Sequence, residues 1–419
     1  MILEREGIII YNAKNIVAMI KSVTIKDFFS FKGENTIELN QGINILLGIN
    51  GSGKTSLINA FRLLYEGVCG IGFEKLFQKE WGGYREVVNA CGEDIPDFIM
   101  LKFVFNAQKL KELSPKSPFV SDVSYRIIIR PLGETNYTLE EKLWTPDKRE
   151  ESKYFNYLKF EKGRGWLSVY HESGIKTEKF AGETSEQELI LHQLSDPKRF
   201  LPSHTIRTAI AQMALYETFD TSSNSIVREP ATTNSDIRLS YNGSNLTALL
   251  SNLSLDQISF EKIESNLNNI NRFFKGFHFQ LFGSRIYMSL LEKNMRHEIG
   301  MRFISDGTLR YIILLSILLN KNGGYLIGMD EPEGRLHPDM IHSIAEMIKI
   351  AAQDRQLIIA THSPLLLNDF ELEDILVFEK NGNNATTIKK YYEEDFPQYE
   401  GKLLPGQLWL NGEIGGKRW

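Results

Sequence analysis

The spacing of apolar residues changes several times along the chain, and each change predicts a boundary between structural elements. From Ile20 to Gly48, β-branched runs separated by glycine turns predict strands at one edge of a sheet. The spacing then lengthens to three and four residues, which predicts a helix with one buried face. The apolar positions of that helix are Leu57, Ile58, Phe61, Leu64 and Tyr65. Regular structure therefore begins as strand, glycine-rich loop and helix.

The middle of the chain contains short runs in which apolar and polar residues alternate, which predicts an antiparallel lobe. Residues 203–230 begin with a helical pattern and continue as a polar stretch that predicts a surface loop. The polar stretch 183–200 suits a helix or a loop, and helices return between about 245 and 274. The predicted strands of the lobe are 99–106, 124–131, 156–162 and 165–172.

From Gln280 onward, strands and helices alternate, as is typical of a parallel sheet. Residues 326–334 form an apolar run that ends in carboxylates, residues 337–353 are amphipathic, and residues 356–364 contain another buried strand. The sequence has no repeat, heptad pattern or low-complexity tract, so we expect no long coiled coil between its two halves.

Composition and charge narrow the class of protein. The formal charge of -5 argues against a protein that coats DNA along its whole surface, but it leaves a local basic face open. Cys69 and Cys91 are too few for a disulfide framework and lack the spacing of a zinc site, so we expect reduced thiols. Residues 1–23 match neither a secretory signal nor a membrane span, which favours a cytoplasmic protein without membrane contact.

The glycine-rich segment before the first helix carries the most specific motif. Gly48–Thr55, which we name the phosphate loop, fits the pattern GxxxxGK[ST] and lies between a predicted strand and a predicted helix. In that context backbone N–H groups bind phosphates, Lys54 reaches the β and γ oxygens, and Thr55 is a ligand of Mg²⁺. The predicted ATP-binding residues here are Asn50, Gly51, Ser52, Gly53, Lys54, Thr55 and Ser56.

Two later strands end in residues that suit the same chemistry. Asp330 is placed to bind Mg²⁺, and the adjacent Glu331 is placed to orient or deprotonate the attacking water. His362 follows the next apolar strand, where it can reach a γ-phosphate or the water. Alone, such residues are usually solvated strand ends or structural hydrogen-bonding groups. With the phosphate loop, they predict catalytic roles for Lys54, Glu331 and His362, and metal ligation by Thr55 and Asp330.

Several segments together resemble a known family. These are ISDGTLR (304–310), MDEPEGRLHP (329–338), IIATHSP (358–364) and Asn242–Leu246. With the chain ends, they resemble the ABC-type ATPases of the RecF, SMC and OLD group. The resemblance is greatest to compact AAA-family ATPases of prokaryotic genomic islands and defence systems, which lack a Toprim domain and a long coiled coil.

This resemblance implies an α/β fold: a P-loop ABC-type ATPase head with a mixed sheet core, an antiparallel β lobe and an inserted α+β or helical lobe. It implies ATP and Mg²⁺ as cofactors, and a head-to-head homodimer or a larger assembly. The implied units are an N-terminal extension (1–18), the N-terminal part of the head (19–70), an inserted β and helical lobe (71–275), the C-terminal part of the head (276–395) and a C-terminal tail (396–419).

The resemblance also implies residues that act across a dimer. Ser305, Asp306 and Gly307 would form the signature motif, whose helix N-terminus completes the γ-phosphate site of a second subunit. Without the other motifs, this turn is an ordinary helix N-cap. The residues implied to lie near the dimer seam are Glu333, Arg335 and His337.

Two departures disfavour a transporter subunit. Lys54 and Asp330 are 276 positions apart, and the signature has the sequence SDGT instead of SGGQ. The glutamine that links Mg²⁺ to the inserted lobe in this family stays unassigned among Gln78, Gln108 and Gln212.

We expect an ATP-hydrolysing dimer that regulates a separate effector or nuclease in anti-phage defence. The alternatives are a DNA-repair or recombination ATPase that binds DNA directly, and a non-catalytic scaffold locked by ATP. Nucleic acid is open as a partner, because basic residues beside Tyr125, Tyr157 and Trp166 suit either backbone binding or the outward face of a half-buried sheet. These basic residues are Arg126, Arg130, Lys159, Lys162 and Arg164.

Two aromatic groups have open interpretations. Phe28, Phe29 and Phe31 are either contacts for the adenine or ribose, or core residues. The C-terminal segment with Trp409 and Trp419 is either a docking segment or a clasp on the ATPase core.

Overall fold

The computed structural model describes residues 17–92, 95–146, 154–171, 174–194, 196–233, 236–399 and 404–416. The predicted N-terminal extension lies outside the described residues except for its last two, and so does Trp419. The strands are β1 (Ile20–Phe28), β2 (Phe31–Glu38), β3 (Ile43–Leu47), β4 (Ile99–Phe105), β5 (Val123–Leu132), β6 (Asn136–Pro146), β7 (Tyr154–Glu161), β8 (Arg164–His171), β9 (Gly174–Lys179), β10 (Met213–Tyr216), β11 (Ala231–Thr232), β12 (Phe274–Phe282), β13 (Arg285–Glu292), β14 (Ile299–Gly300), β15 (Leu326–Asp330), β16 (Gln356–Thr361), β17 (Ile375–Lys380) and β18 (Thr386–Lys390).

The helices pack around these strands, and in the described ranges none is long and apolar enough to cross a bilayer. A π-helical turn lies at Lys75–Glu80. The α-helices are α1 (Lys54–Val68), α2 (Tyr84–Val87), α3 (Ala107–Leu113), α4 (Ile190–Gln193), α5 (Leu201–Ile210), α6 (Leu246–Leu253), α7 (Gln257–Ile270), α8 (Asp306–Leu318), α9 (Pro338–Ala351), α10 (Pro364–Leu367) and α11 (Pro405–Leu410).

A six-stranded core sheet has the order β10-β15-β16-β3-β17-β18. The first five strands are parallel, and β18 adds an antiparallel edge. The central strands are short apolar runs because both faces of a parallel sheet are covered, and every residue of β16 is buried. The carboxyl ends of β3, β15 and β16 meet at one edge of the sheet. Residues that follow these three strands are therefore brought together.

An eight-stranded antiparallel sheet, in the order β2-β1-β4-β5-β6-β7-β8-β9, packs one face on α1. Leu57, Phe61 and Leu64 of that helix are fully buried, and the ring centroid of Phe61 lies 5.8 Å from that of Phe103 in β4. The helix after the phosphate loop and the four predicted strands of the lobe are confirmed within the described residues. β6 and β9 are strands that the alternation pattern did not predict.

The segment 203–230 begins with a helix, as its pattern predicts, but it also contains a strand and buried residues that its polar stretch did not predict. After α5, β10 pairs in parallel with β15, so it belongs to the core sheet although it lies within the implied inserted lobe 71–275. Val227 and Arg228 are buried as well. The four residues of β10 are too few to show a period, and their strand state depends on a partner more than a hundred positions away.

The strand and helix alternation predicted from Gln280 begins later in the structure. β12 and β13 form an antiparallel hairpin through Gly283, whose φ of 59° is in the left-handed region. From β15 to β17 the alternation holds, with α9 and α10 between the strands. The final third therefore contributes both a hairpin and three parallel strands.

The C-terminal segment packs on the core. The backbone N–H of Gly406 donates to Asn368 Oδ1 at 2.9 Å, and a Cβ at Gly406 would lie 2.0 Å from the carbonyl oxygen of Pro364. Trp409 and Ile414 are buried. Of the two interpretations of the tail, residues 404–416 fit the clasp, and they contact the short helix α10 that follows β16.

Candidate nucleotide site

The phosphate loop connects β3 to α1 and is shaped by glycines in the left-handed region. Gly51 has a φ of 80° and Gly53 a φ of 112°, which residues with a Cβ rarely adopt. A Cβ at Gly53 would also lie 2.3 Å from Thr386 Oγ1. Ser52 is fully buried, and its hydroxyl has no hydrogen-bond partner among the described residues. A buried, unsatisfied hydroxyl beside a helix N-terminus fits a phosphate-binding loop.

The ammonium group of Lys54 is folded back onto the loop. Its Nζ donates to the carbonyl oxygens of Gly48 at 2.6 Å and Ile49 at 3.2 Å, and the side chain is buried. Burial lowers the pKa of Lys54, while the charges of Asp330 and Glu331 act in the opposite direction. The lysine is therefore held inside the loop by neutral carbonyls, which anionic phosphate oxygens can replace.

Asp330 ends β15 opposite the first turn of α1. Thr55 Oγ1 donates to Asp330 Oδ2 at 3.3 Å, so the two predicted metal ligands are adjacent. Burial and the neighbouring charge of Glu331 raise the pKa of Asp330, whereas Lys54 and Thr55 lower it. A hydroxyl and a carboxylate are oxygen donors of the kind that Mg²⁺ prefers. The residues present therefore fit a magnesium ion bound beside the phosphate loop.

Glu331 has a backbone conformation that is unusual for a residue with a side chain. Its φ of 46° is in the left-handed region, which costs on the order of 1 kcal/mol. The N–H donates to the carbonyl of Ala360 at 2.9 Å, and the carbonyl accepts from Arg310 Nη2 at 2.8 Å. The carboxylate Oε1 lies 2.9 Å from His362 Nδ1. β16, the residue that follows it and α8 thus fix both the backbone and the side chain of this glutamate.

These groups line one cavity of about 260 Å³ at the carboxyl edge of the core sheet. His362 is half exposed beside this cavity, and it contacts Glu331, which is one of the lining residues. The predicted signature residues Ser305, Asp306 and Gly307 do not line this cavity of their own chain. The lining residues are Ser30, Asn50, Gly51, Gly53, Lys54, Thr55, Ser56, Asp330 and Glu331.

A buried arginine, which the sequence did not single out, supports the signature turn through hydrogen bonds. Arg228 Nη1 donates to the carbonyls of Met301 and Ile304 at 2.7 Å each, and Nη2 donates to Asp306 Oδ1 at 2.7 Å. The remaining donors reach the carbonyls of Thr221 and Ser222. Ser305 Oγ accepts from the N–H of Thr308 at 3.2 Å, so this serine is an N-cap of α8.

Two hydroxyl residues support the phosphate loop and the first turn of α1, and an arginine supports the backbone after β15. Ser30 Oγ lies 2.9 Å from Ser56 Oγ, and Thr386 Oγ1 donates to the carbonyl of Ser52 at 2.8 Å. Arg310, at the start of α8, is buried and bonds the backbone after β15. Only Arg310 lies within a quoted motif. Ser30 and Thr386 are far apart in sequence and carry no local signal.

The three residues implied to lie near a dimer seam differ in exposure. Arg335 and His337 are exposed, and Arg335 has a φ of 62°. Glu333 is buried, its carboxylate accepts a hydrogen bond from Thr361 Oγ1, and burial raises its pKa. Glu333 is therefore an internal link between the segment after β15 and the end of β16, and only the other two present themselves at the surface of one chain.

Several open interpretations are now resolved or narrowed. Phe28 and Phe31 are fully buried core residues, and Phe29 packs against Trp81 with ring centroids 5.4 Å apart. Gln78, Gln108 and Gln212 do not line the cavity, so the coupling glutamine stays unassigned. In the lobe, Tyr125 and Tyr157 are buried, whereas Trp166 is 52% exposed.

Comparisons with known proteins agree with this fold. A family model described as "AAA domain, putative AbiEii toxin, Type IV TA system" matches residues 164–368, and one described as "AAA domain" matches residues 22–82. The fold is similar to that of an SMC head in a crystal structure with the C-winged helix domain of ScpA, with a TM-score of 0.55 and 14% identity over 90% of this chain and 99% of that one. The chain therefore has the P-loop ABC-type fold of SMC ATPase heads and contains regions that match AAA-domain models.

This ABC-type head has further similarities. An Smc head domain with an extended coiled coil, bound to the C-terminal domain of ScpA derived from Pyrococcus furiosus, has a TM-score of 0.53 and 11% identity over 92% of this chain and 99% of that one. A structural maintenance of chromosomes protein 3 homolog from Plasmodium falciparum (isolate 3D7) is 40% identical over 76 residues. That match spans 18% of this chain and only 6% of the relative.

Proposed function

We propose that this chain is a cytoplasmic ATPase that binds two ATP·Mg²⁺ between two copies of itself and regulates a partner protein. The observation that carries the proposal is the pairing of Glu331 and His362 at 2.9 Å, beside the cavity that Lys54, Thr55 and Asp330 line. Phosphate-binding, metal-binding and proton-accepting groups thus surround one space, as hydrolysis of a phosphoanhydride requires.

The chain's own residues have separable tasks. N–H groups of the phosphate loop bind phosphate oxygens, and Lys54 exchanges the carbonyls of Gly48 and Ile49 for them. Mg²⁺, held by Thr55 and Asp330, would neutralise charge on the transferring phosphoryl group. His362 occupies Oε1 of Glu331, so the second carboxylate oxygen is free to orient the attacking water and take its proton.

The proposed dimer follows from what the cavity lacks. Ser305 and Asp306 are exposed at the N-terminus of α8, yet they do not line the cavity of their own chain. A second copy, related by a two-fold axis, would place this helix N-terminus over the γ-phosphate. The same operation places the first copy's signature motif over the second ATP, so the dimer has two equivalent sites.

A mixing experiment tests the composite site. We expect K54A and S305R to be almost inactive alone, because one lacks the phosphate ligand and the other blocks the signature turn. In an equal mixture about half of the dimers pair the two variants, and one of their two sites is intact, so about one quarter of wild-type ATP turnover should return. Phosphate release, measured on the variants separately and after mixing, gives the result.

The matched control is a mixture of K54A with E331Q, which lie in the same half of the site. Each of the two sites in that mixed dimer carries one of the two defects, because Lys54 and Glu331 of one chain serve the same site. Mixing should therefore give no more ATP turnover than the separate variants do. Absence of recovery for K54A with S305R would contradict a site shared between two copies. Full turnover by K54A alone would contradict the catalytic assignment.

The regulated partner is proposed from the relatives. The matched SMC heads are bound to domains of ScpA, and the longer family match is described in terms of a toxin of a toxin–antitoxin system. Both support a head that controls a separate effector or nuclease in anti-phage defence. Phage plaque counts in cells that carry this chain with its genomic neighbours should lose protection with E331Q.

Two other functions predict different results. A DNA-repair or recombination ATPase requires ATP-dependent, salt-sensitive binding to duplex DNA. A scaffold locked by ATP requires no hydrolysis, so E331Q should then retain full protection while K54A loses it.

A further inference from the structure

A row of cations crosses the antiparallel sheet at one level of the backbone pairing. Successive strands place their members directly opposite one another, from β4 through β5, β6, β7 and β8 to β9. Five of the six members are basic and the sixth is a tryptophan. The members of this cation row, in spatial order, are Lys102, Arg126, Lys142, Lys159, Trp166 and Lys179.

The cation row lies on the face of the sheet that is turned away from α1. Adjacent residues along the strands, such as Leu158 and Leu167, are buried in the core. Lys159, Trp166 and Lys179 are exposed, and the other three members are half-buried. Because side chains alternate between the two faces of a strand, all six members project from the outer face.

Folding alone gives no reason for this arrangement. Within the described ranges, none of the five cations has an ion-pair partner, whereas Lys21 and Arg130 of the same sheet bond Asp122 at 2.7 Å and Glu140 at 2.5 Å. Like charges directly opposite each other on neighbouring strands are destabilising. A ligand with several negative charges in a line would relieve that repulsion.

Three positive charges lie close together in the middle of the cation row. Lys142 stands between Arg126 and Lys159, and burial together with these two charges lowers its pKa. Lys142 Nζ lies 4.9 Å from the ring centroid of Trp144, and Arg126 Cζ lies 5.8 Å from it. The charged groups of these two residues therefore lie over the same aromatic ring on the outer face of the sheet, which fixes their positions.

Trp166 differs from Trp144 in having its ring available. The side chain is 52% exposed, and in the part of the chain that the structure describes its ring stacks on no other ring and carries no cation. It lies between Lys159 and Lys179 in the cation row. An exposed indole between two cations on a sheet surface suits a base that stacks between two phosphate contacts.

We propose that the cation row binds single-stranded nucleic acid, with the basic residues contacting phosphates and Trp166 stacking on a base. Neighbouring strands are about 4.8 Å apart, so five steps span roughly 24 Å, enough for several nucleotides. A single phosphate or nucleotide would engage only part of that length. Duplex DNA keeps its bases stacked and would leave Trp166 without a role. The proposal does not depend on ATP turnover.

Fluorescence anisotropy of the full chain with labelled 20-nucleotide oligo-dT and oligo-U tests the proposal without nucleotide present. The K142E/K159E variant should bind either strand at least tenfold more weakly, and the magnitude of its slope of log K against log salt should fall by about 1.4. W166A should weaken binding by roughly tenfold, whereas W166F should retain it. The matched control, K262E/K275E, changes the net charge equally at exposed lysines outside the row and should bind as the wild type does.

Several results would overturn the proposal. These are failure of the wild type to bind either oligonucleotide, equal losses in K142E/K159E and K262E/K275E, and binding confined to duplex DNA or to phosphatidylserine vesicles. Thermal melting and ATP turnover of each variant show whether it is folded. If K142E/K159E does not fold, the comparison of W166A with W166F tests the proposal instead. Because turnover is measured separately, loss of nucleic acid binding is distinguishable from failure of the proposed ATPase.

Discussion

The phosphate loop and the signature motif lie on the same head but are held in opposite ways. Around the phosphate loop, the buried hydroxyl of Ser52 and one carboxylate oxygen of Glu333 have no partner among the described residues, and Lys54 rests on loop carbonyls. Under the signature motif, Arg228 uses its guanidinium to bond backbone carbonyls and Asp306.

This difference indicates that the two halves of the composite site have different roles in the proposed dimer. Groups without partners around the phosphate loop can gain hydrogen bonds from a ligand, so that half should rearrange when ATP binds. The signature half is fixed before it meets its target, and a preorganised donor loses little freedom on docking. We therefore expect one half to respond to nucleotide and the other to present a rigid surface to it.

The largest expected effect comes from the responsive half. E331Q removes the proton acceptor beside His362 but keeps the size of the side chain, so ATP turnover should fall by about 100-fold or more. ATP binding should persist, and the ATP-bound dimer should accumulate because hydrolysis no longer causes it to dissociate. Phosphate release and light scattering with ATP measure both effects. K54A is the control that should lose ATP binding itself, and full turnover by E331Q would break the comparison.

An intermediate effect is expected in the rigid half. R228A removes a buried cation that bonds four carbonyl groups and Asp306, so the free energy of unfolding should fall by about 3–5 kcal/mol. R228K keeps the charge but not the planar fork, and it should rescue only part of the loss. Denaturant unfolding measures the change.

The matched control for Arg228 is R302A. Arg302 is 69% exposed and pairs with Glu229 at 3.0 Å, so its loss should cost less than about 1 kcal/mol. If R228A unfolds no more readily than R302A, the signature half is not held as rigidly as its contacts indicate.

The smallest expected effect lies outside both halves, at Glu141 in the antiparallel sheet. Burial raises its pKa from 4.5 to about 7, against hydrogen bonds from Tyr125 and the N–H groups of Ile190 and Leu191. Because the folded-state pKa is the higher one, this group favours folding below about pH 4.5, and that contribution is lost as the pH rises to about 7. E141Q should therefore be more stable than the wild type at pH 8, by up to about 3 kcal/mol.

Denaturant unfolding at pH 5 and pH 8 checks this sign, since the advantage of E141Q should appear only at the higher pH. ATP turnover should stay unchanged, which would show that the stability of the sheet and the chemistry of the nucleotide site are separable. An equal advantage at both pH values would contradict the assigned titration.

The motifs of the site could be predicted because each is a local pattern. GxxxxGK[ST] specifies a strand, a loop and a helix within about 25 residues, and Asp330, Glu331 and His362 each end an apolar run. Parallel strands bring their carboxyl ends to one edge, so these residues converge without further information. The structure brings together the phosphate loop, Asp330 and Glu331, with His362 in contact.

What the sequence could not specify depends on pairing between distant segments. The strand state of β10, the burial of Arg228 and the support from Thr386 each require a partner far along the chain. The burial of Glu333 has the same cause, because Thr361 of β16 lies beside it only in the folded chain. Burial is a property of the packed molecule, and polar composition alone does not reveal it.

The cation row shows the same limit most clearly. Arg126, Lys159 and Trp166 were candidates from the sequence, but Arg130, Lys162 and Arg164 were grouped with them, and Lys102, Lys142 and Lys179 were not. A strand pattern of period two tells which residues share a face, but a shift of register by two residues would preserve every face and dissolve the row. The sequence determined the chemistry of the nucleotide site, and only the register of the folded sheet decided which charges stand in line.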